Sequence, residues 1–169
     1  MLLAADDLAI RSLHLIAAAV WAGGLVFLGL AVGAARGTLA DRERIALFRR
    51  LGRRFLLVGG IALAVLIATG TDMAADRLGS FGDLFDTAYG KRLAEKLALV
   101  IAVIVLTAFH SFVQGPALSR LREDALERPG DAELAASIRR KSARAGIVSA
   151  LNLLATLAIL VLAARLVTG

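Results

Sequence analysis

Four unbroken apolar runs, each about 20 residues long and so each able to span a bilayer, govern what this chain can fold into. They lie at about Leu13 to Gly33, Phe55 to Met73, Leu97 to Pro116 and Ala145 to Val167. A bilayer's hydrocarbon core is about 30 Å thick, and a helix rising about 1.5 Å per residue crosses it in about 20 residues. In lipid every backbone N–H and C=O must find a partner, which leaves helices or closed barrels. Barrel strands are about half as long and alternate apolar with polar. These runs do not alternate. The expectation is an all-α integral membrane protein: a single domain over residues 1–169, folded as an up-down-up-down four-helix bundle.

Composition agrees, at 59% hydrophobic with a mean hydropathy of +0.76. Cysteine is absent, which excludes disulfides, thiolate metal sites and cysteine nucleophiles. The net charge of +6 raises the question of nucleic acid. The arginines, however, flank apolar spans, where they anchor to headgroups, and no basic face carries interleaved aromatics. The expected partner is the lipid bilayer, not nucleic acid. Residues 1–14 carry two acids where a signal peptide has a basic stretch, so the first span is expected to be retained.

Orientation follows from the segments between spans. Residues 35–54 hold seven arginines and two acids, and residues 116–144 hold seven basic residues and five acids. Residues 71–96 hold four basic residues and five acids. Lysine and arginine mark cytoplasmic loops and acids count for little, so loops 35–54 and 116–144 face the cytoplasm. Both termini and the middle loop then face outside. The third segment contains Pro129-Gly130-Asp131, a turn signal between two helical patterns, which predicts a short helical hairpin.

Polar residues at membrane depth are costly, and they face the bundle or a cavity. The chain has two histidines, His14 and His110, both within spans. Their spans run parallel, with His14 near the start of its own and His110 well inside, which puts them on the order of 16 Å apart in depth. Two axial ligands of one haem need nitrogens only about 4 Å apart. Two separate groups are therefore expected. The outer one gathers His14, Asp72, Met73, Glu95 and Lys96, with Tyr89 on the connecting loop and Trp21 on the His14 face of its helix. Imidazole, carboxylate and thioether make His14, Asp72 and Met73 a candidate copper set. The alternative is that Asp72, Glu95 and Lys96 are interfacial charges.

The inner group holds His110 with Thr107 and Gln114 on its face, facing Ser149, Asn152 and Thr156 of the last span. There His110 is a ligand or proton-handling candidate, and the others read as interhelical hydrogen bonds. Gly59 and Gly60 leave room for a flat ligand or a close backbone. Gly23, Gly24 and Gly29 are read as packing devices. No serine stands at a strained turn and no phosphate-binding glycine loop is present, so no catalytic residue is identified.

Three stretches carry a resemblance to the copper-resistance D (CopD) family. One is His14 to Phe27 with its Trp21-Ala22-Gly23-Gly24 run, and another is Arg53-Arg54-Phe55 leading to Thr69-Gly70. The most distinctive is residues 78–100, similar to that family's Thr-x-Tyr-Gly-x-x-Leu-x-x-Lys approach to the next helix. The likeness runs over roughly residues 13–122, and its matched residues are His14, Trp21, Tyr89, Gly90 and Lys96. It implies a multi-pass bacterial inner-membrane protein that binds or imports copper, with a periplasmic copper chaperone as a candidate partner; a homo-oligomer is a separate candidate, left open by the sequence. Lys96 would then pair with an acid or anchor the interface.

A second resemblance is to HemJ-type protoporphyrinogen oxidases, which share the early Leu13-His14 pair and the Lys96-Leu97 and Phe109-His110 run. That likeness implies haem b held by His110 or His14, with Trp21 beside it, and oxidoreductase chemistry. A cofactor-free structural subunit is the third possibility.

Overall fold

The computed structural model describes residues 2–78, 80 and 82–168, with side chains described from Asp6 to Ala164. Gly79 and Phe81, both in the distinctive 78–100 stretch, lie outside the described residues. The chain runs through α1 (Leu2–Thr38), α2 (Asp41–Ala75), the short α3 (Asp83–Asp86) and α4 (Ala88–Phe109). A π-helical turn (His110–Gln114), α5 (Gly115–Glu127) and α6 (Ala132–Thr168) follow. No strand occurs among the described residues. The four long apolar helices expected from the sequence are present, with α4, the π-helical turn and α5 forming one rod from Ala88 to Glu127.

The helices outrun the apolar runs that define them. At 37 residues α1 is about 55 Å long, well beyond a hydrocarbon core of about 30 Å. The segment expected as a first loop, 35–54, is therefore almost wholly helical, broken only at Leu39 and Ala40. Charge placement suits this tight reversal. Arg36 lies in the last turn of α1, and Asp41 and Glu43 lie in the first turn of α2, each complementing the helix dipole at its end. The hairpin at Pro129-Gly130-Asp131 forms as expected. Gly130 adopts φ +95°, and the Asp131 carboxylate accepts from the Leu134 N–H at 2.9 Å, capping α6.

Packing is dominated by α1 against α2 and by α4 against α6, with α1–α6 and α2–α5 contacts joining the two hairpins. The centre is small: Ala17, Trp21, Ala62 and Val103 are buried, flanked by Leu25, Phe55, Leu66, Ala155 and Ile159. Large apolar side chains point outward instead, with Leu30 70% and Leu57 67% exposed. In water such a surface would be untenable, whereas against lipid it is the expected exterior.

The π-helical turn has a local cause. Pro116 has no N–H to give the Phe112 carbonyl, and its ring would crowd that oxygen in a regular helix. The ladder widens by one residue just before it, with the Gly115 N–H bonding the His110 carbonyl. A Cβ at Gly115 would stand 3.2 Å from that carbonyl oxygen, so glycine eases the wider turn.

Candidate functional site

The bundle has two dissimilar ends. One carries the α2–α4 connection, and the other carries the arginine-rich reversals. His14 lies near the connection end, half-buried on α1 and facing α2. Its Nδ1 is 2.7 Å from Thr69 Oγ1, and that hydroxyl is 2.6 Å from the Val65 carbonyl oxygen. A carbonyl can only accept, so the single Thr69 proton goes to Val65. The hydroxyl must then accept from His14, which puts the imidazole proton on Nδ1 and leaves the Nε2 lone pair uncommitted. A hydrogen-bond chain of this kind, behind the ring, fixes the tautomer and orientation of metal-binding histidines.

Gly70 completes the seat, since a Cβ there would stand 3.3 Å from His14 Cε1. The Lys96 ammonium on α4 is close enough for its charge to act on the His14 ring. Of the expected outer group, then, the structure puts the Lys96 charge within electrostatic range of His14, and it adds Thr69 as the direct hydrogen-bond partner. Lys96 forms no ion pair among the described residues, so of the two roles expected for it, pairing with an acid or anchoring the interface, the first is not seen. Asp72 and Glu95 are exposed, and Met73 is half-buried about one turn beyond Thr69. Neither Asp72 nor Met73 hydrogen-bonds His14 among the described residues. No group of three or more His, Asp or Glu able to hold a metal occurs among the described residues.

Trp21 is buried at the bundle centre, its ring 5.8 Å from that of Phe55 at an interplanar angle of 37°. Phe55 fills the space beside two glycines. A Cβ at Gly24 would run into its ring, and one at Gly59 would come within 3.1 Å of it. The slot read at Gly59 for a flat ligand is thus occupied by Phe55, while Gly60 faces open space. Of the three glycines read as packing devices only Gly24 has that role, since Gly23 and Gly29 have nothing near them.

The inner group forms in part. His110 Nδ1 lies 3.3 Å from Gln114 Oε1 across the π-helical turn. Asn152 Nδ2 donates to Thr107 Oγ1 at 3.0 Å, and the Thr156 hydroxyl donates to the Asn152 carbonyl at 2.9 Å. Asn152 and Thr156 are buried, but Ser149 is exposed. The Asn152 side-chain oxygen is buried with no hydrogen-bond partner.

The Tyr89-Gly90 stretch is a corner. Thr87 caps α4 by accepting from the Gly90 N–H at 2.9 Å, while its hydroxyl donates to the Asp83 carbonyl at 2.8 Å. A Cβ at Gly90 would collide with the Asp83 carbonyl and the Leu84 backbone, so α3 rests on α4 only because residue 90 has no side chain. Arg77 lies over the Tyr89 ring, 5.6 Å from its centroid, and ties the end of α2 to the start of α4.

A family model described as copper resistance protein D matches residues 49–166, well over half of the chain. The chain belongs to that family. The match is displaced toward the C-terminus relative to the likeness read from the sequence. It takes in nearly all of the fourth span and leaves out His14 and Trp21. Thr69, Gly70, Tyr89, Gly90 and Lys96 fall inside the matched residues, so the wall facing His14 lies within the part similar to copper resistance D proteins. No match is found among curated proteins or among solved structures. Thr69 is the neighbour of His14 that polarity alone did not single out. The available signal was a hydroxyl next to a glycine in an otherwise apolar run.

Proposed function

We propose that this copper resistance D protein passes copper across the membrane, with His14 as a single-imidazole waypoint at the outer end of the bundle. The carrying observation is the Val65–Thr69–His14 chain, which commits Nδ1 and leaves Nε2 as a free donor of electrons to a metal. Imidazole suits copper, and Met73, about one turn along α2, offers a soft second ligand to a passing ion. Copper is the cargo in this reading, not a resident cofactor. One fixed imidazole, with the Lys96 charge nearby, makes a station of low affinity. Low affinity is what transit needs, since an ion must leave as readily as it enters. The excess of arginine on the other end of the bundle supports a periplasmic position for this station, where a copper chaperone would deliver.

The test is copper uptake into proteoliposomes, with copper bound to the purified protein measured in parallel. His14→Ala should abolish uptake and lower bound copper, while Lys96→Gln should raise the copper retained. Uptake by His14→Ala equal to that of the parent protein would overturn the reading. So would a Soret band in the absorption spectrum of the protein purified from haem-replete cells.

A further inference from the structure

At the arginine-rich end, an open cleft of about 610 Å³ lies between α1, α2, α5 and α6. Four arginines line it, one from each helix: Arg36, Arg44, Arg122 and Arg139. A single carboxylate, Asp41, shares the lining, so the wall carries four positive charges and one negative, a net +3. Asp41 is already engaged in an ion pair with Arg44. Arg122 is half-buried, and its partner is a neutral one, the Ser142 hydroxyl at 3.1 Å. Arg36 and Arg139 form no ion pair among the described residues. Arg49, at the same end, shows the contrast. It faces α5 outside the cleft and is neutralised by Glu123 at 3.0 Å.

The arrangement is costly for the protein alone. Burial opposes the Arg122 charge, Arg44 and Arg36 repel it, and Asp41 offsets only part of this. Four helices are held so that guanidinium groups converge without enough counter-charge among them. Such convergence is stable when an anion supplies the missing charge. Guanidinium forks match phosphate oxygens in geometry, and hydrogen bonds between ions are about twice as strong as neutral ones. The cleft is of ligand size. Its position also selects the source of the anion. Gly146 and Ile45 line its apolar side, and the last apolar run starts at about Ala145, so it opens at headgroup level.

We propose that the cleft between α1, α2, α5 and α6 binds a phosphate group, and that in the membrane this is the headgroup of an acidic phospholipid. Basic pockets between membrane helices on the cytoplasmic side take such headgroups. The copper reading concerns the opposite end of the bundle, and neither depends on the other.

The test uses the full chain, delipidated in neutral detergent at fixed ionic strength. Binding and melting temperature are measured with phosphatidylglycerol, cardiolipin, phosphatidylcholine and inorganic phosphate. The acidic lipids should bind and raise the melting temperature, and phosphatidylcholine should do neither. Arg36→Gln with Arg122→Gln should weaken acidic-lipid binding about tenfold or more, the loss of at least one charge-assisted contact. Arg53→Gln with Arg54→Gln removes the same charge outside the cleft and should leave binding nearly unchanged. If the Arg122 variant fails to fold, Arg36→Gln with Arg139→Gln, both at exposed positions, carries the same expectation. Equal losses from the cleft and control pairs would overturn the site, showing general attraction to a basic surface. Inorganic phosphate binding as tightly as the lipids would overturn the lipid assignment.

Discussion

At the scale of single residues, the decisive feature is one proton. Thr69 cannot donate to both Val65 and His14, so its hydroxyl sets the imidazole tautomer, and with it the ring nitrogen whose lone pair stays free. Valine has nearly the shape of threonine and lacks the oxygen. Thr69→Val should therefore leave the helix in place, strand the His14 Nδ1–H without an acceptor, and cost about 1–3 kcal/mol of stability. Bound copper should fall about 10–100-fold, as is usual when the partner orienting a metal ligand is removed, and Thr69→Ser should restore it. Copper titration of the three proteins separates the outcomes. If Thr69→Val retained copper like the parent, the tautomer argument would fail. His14 itself was legible in the sequence, because an imidazole in an apolar run stands out. Thr69 entered only within the Thr69-Gly70 pair of the family resemblance, and its bond to His14 was not legible, because a threonine in a membrane helix can satisfy its hydroxyl within its own helix, as Thr71 does on Ile67. Only the neighbouring helix shows which threonine has a second use.

Elements were legible where hydropathy alone decides and illegible where backbone geometry does. The four spans followed from apolar length, and the hairpin from its Pro-Gly-Asp turn, because both are local signals. Helix ends were underestimated, since the charged extensions of α1 and α2 keep their helical backbone after leaving the apolar zone. The π-helical turn left only Gly115-Pro116 as a trace. The Tyr89-Gly90 motif was conspicuous in sequence, yet much of its meaning lies in packing. Gly90 lets α3 lie on the first turn of α4, with Thr87 as cap and Tyr89 beneath Arg77. Gly90→Ala puts a methyl into backbone that has no flexible end to yield, so α3 must lift. Overpacking of this kind costs about 1–3 kcal/mol, which should appear as a lower melting temperature in detergent and faster proteolysis within residues 76–87. A melting temperature equal to the parent's would mean that α3 is not docked as described.

For the whole molecule, function depends on which end faces out. The bundle is strongly asymmetric in charge. Arginine gathers at the α1–α2 reversal and around the α5–α6 hairpin, while the α2–α4 connection is close to neutral. Membrane insertion reads lysine and arginine near the spans and largely ignores acids, so the two arginine-rich reversals should remain in the cytoplasm. That orientation would put His14 and Lys96 on the periplasmic side and the arginine-lined cleft on the cytoplasmic side, against the leaflet surface whose potential is negative. The chain contains no cysteine, so one introduced thiol reports its own side without background. Ser80 and Glu133 are both exposed, at opposite ends of the bundle. In intact spheroplasts a membrane-impermeant maleimide should label Ser80→Cys, and it should reach Glu133→Cys only after permeabilisation. The reverse pattern would place the imidazole station in the cytoplasm and remove the route from a periplasmic chaperone to His14. Exchanging Arg49, Arg50, Arg53 and Arg54 for glutamine should weaken the preference and give a mixed population labelled on both sides. An unchanged pattern would show that the 116–144 segment alone holds the topology.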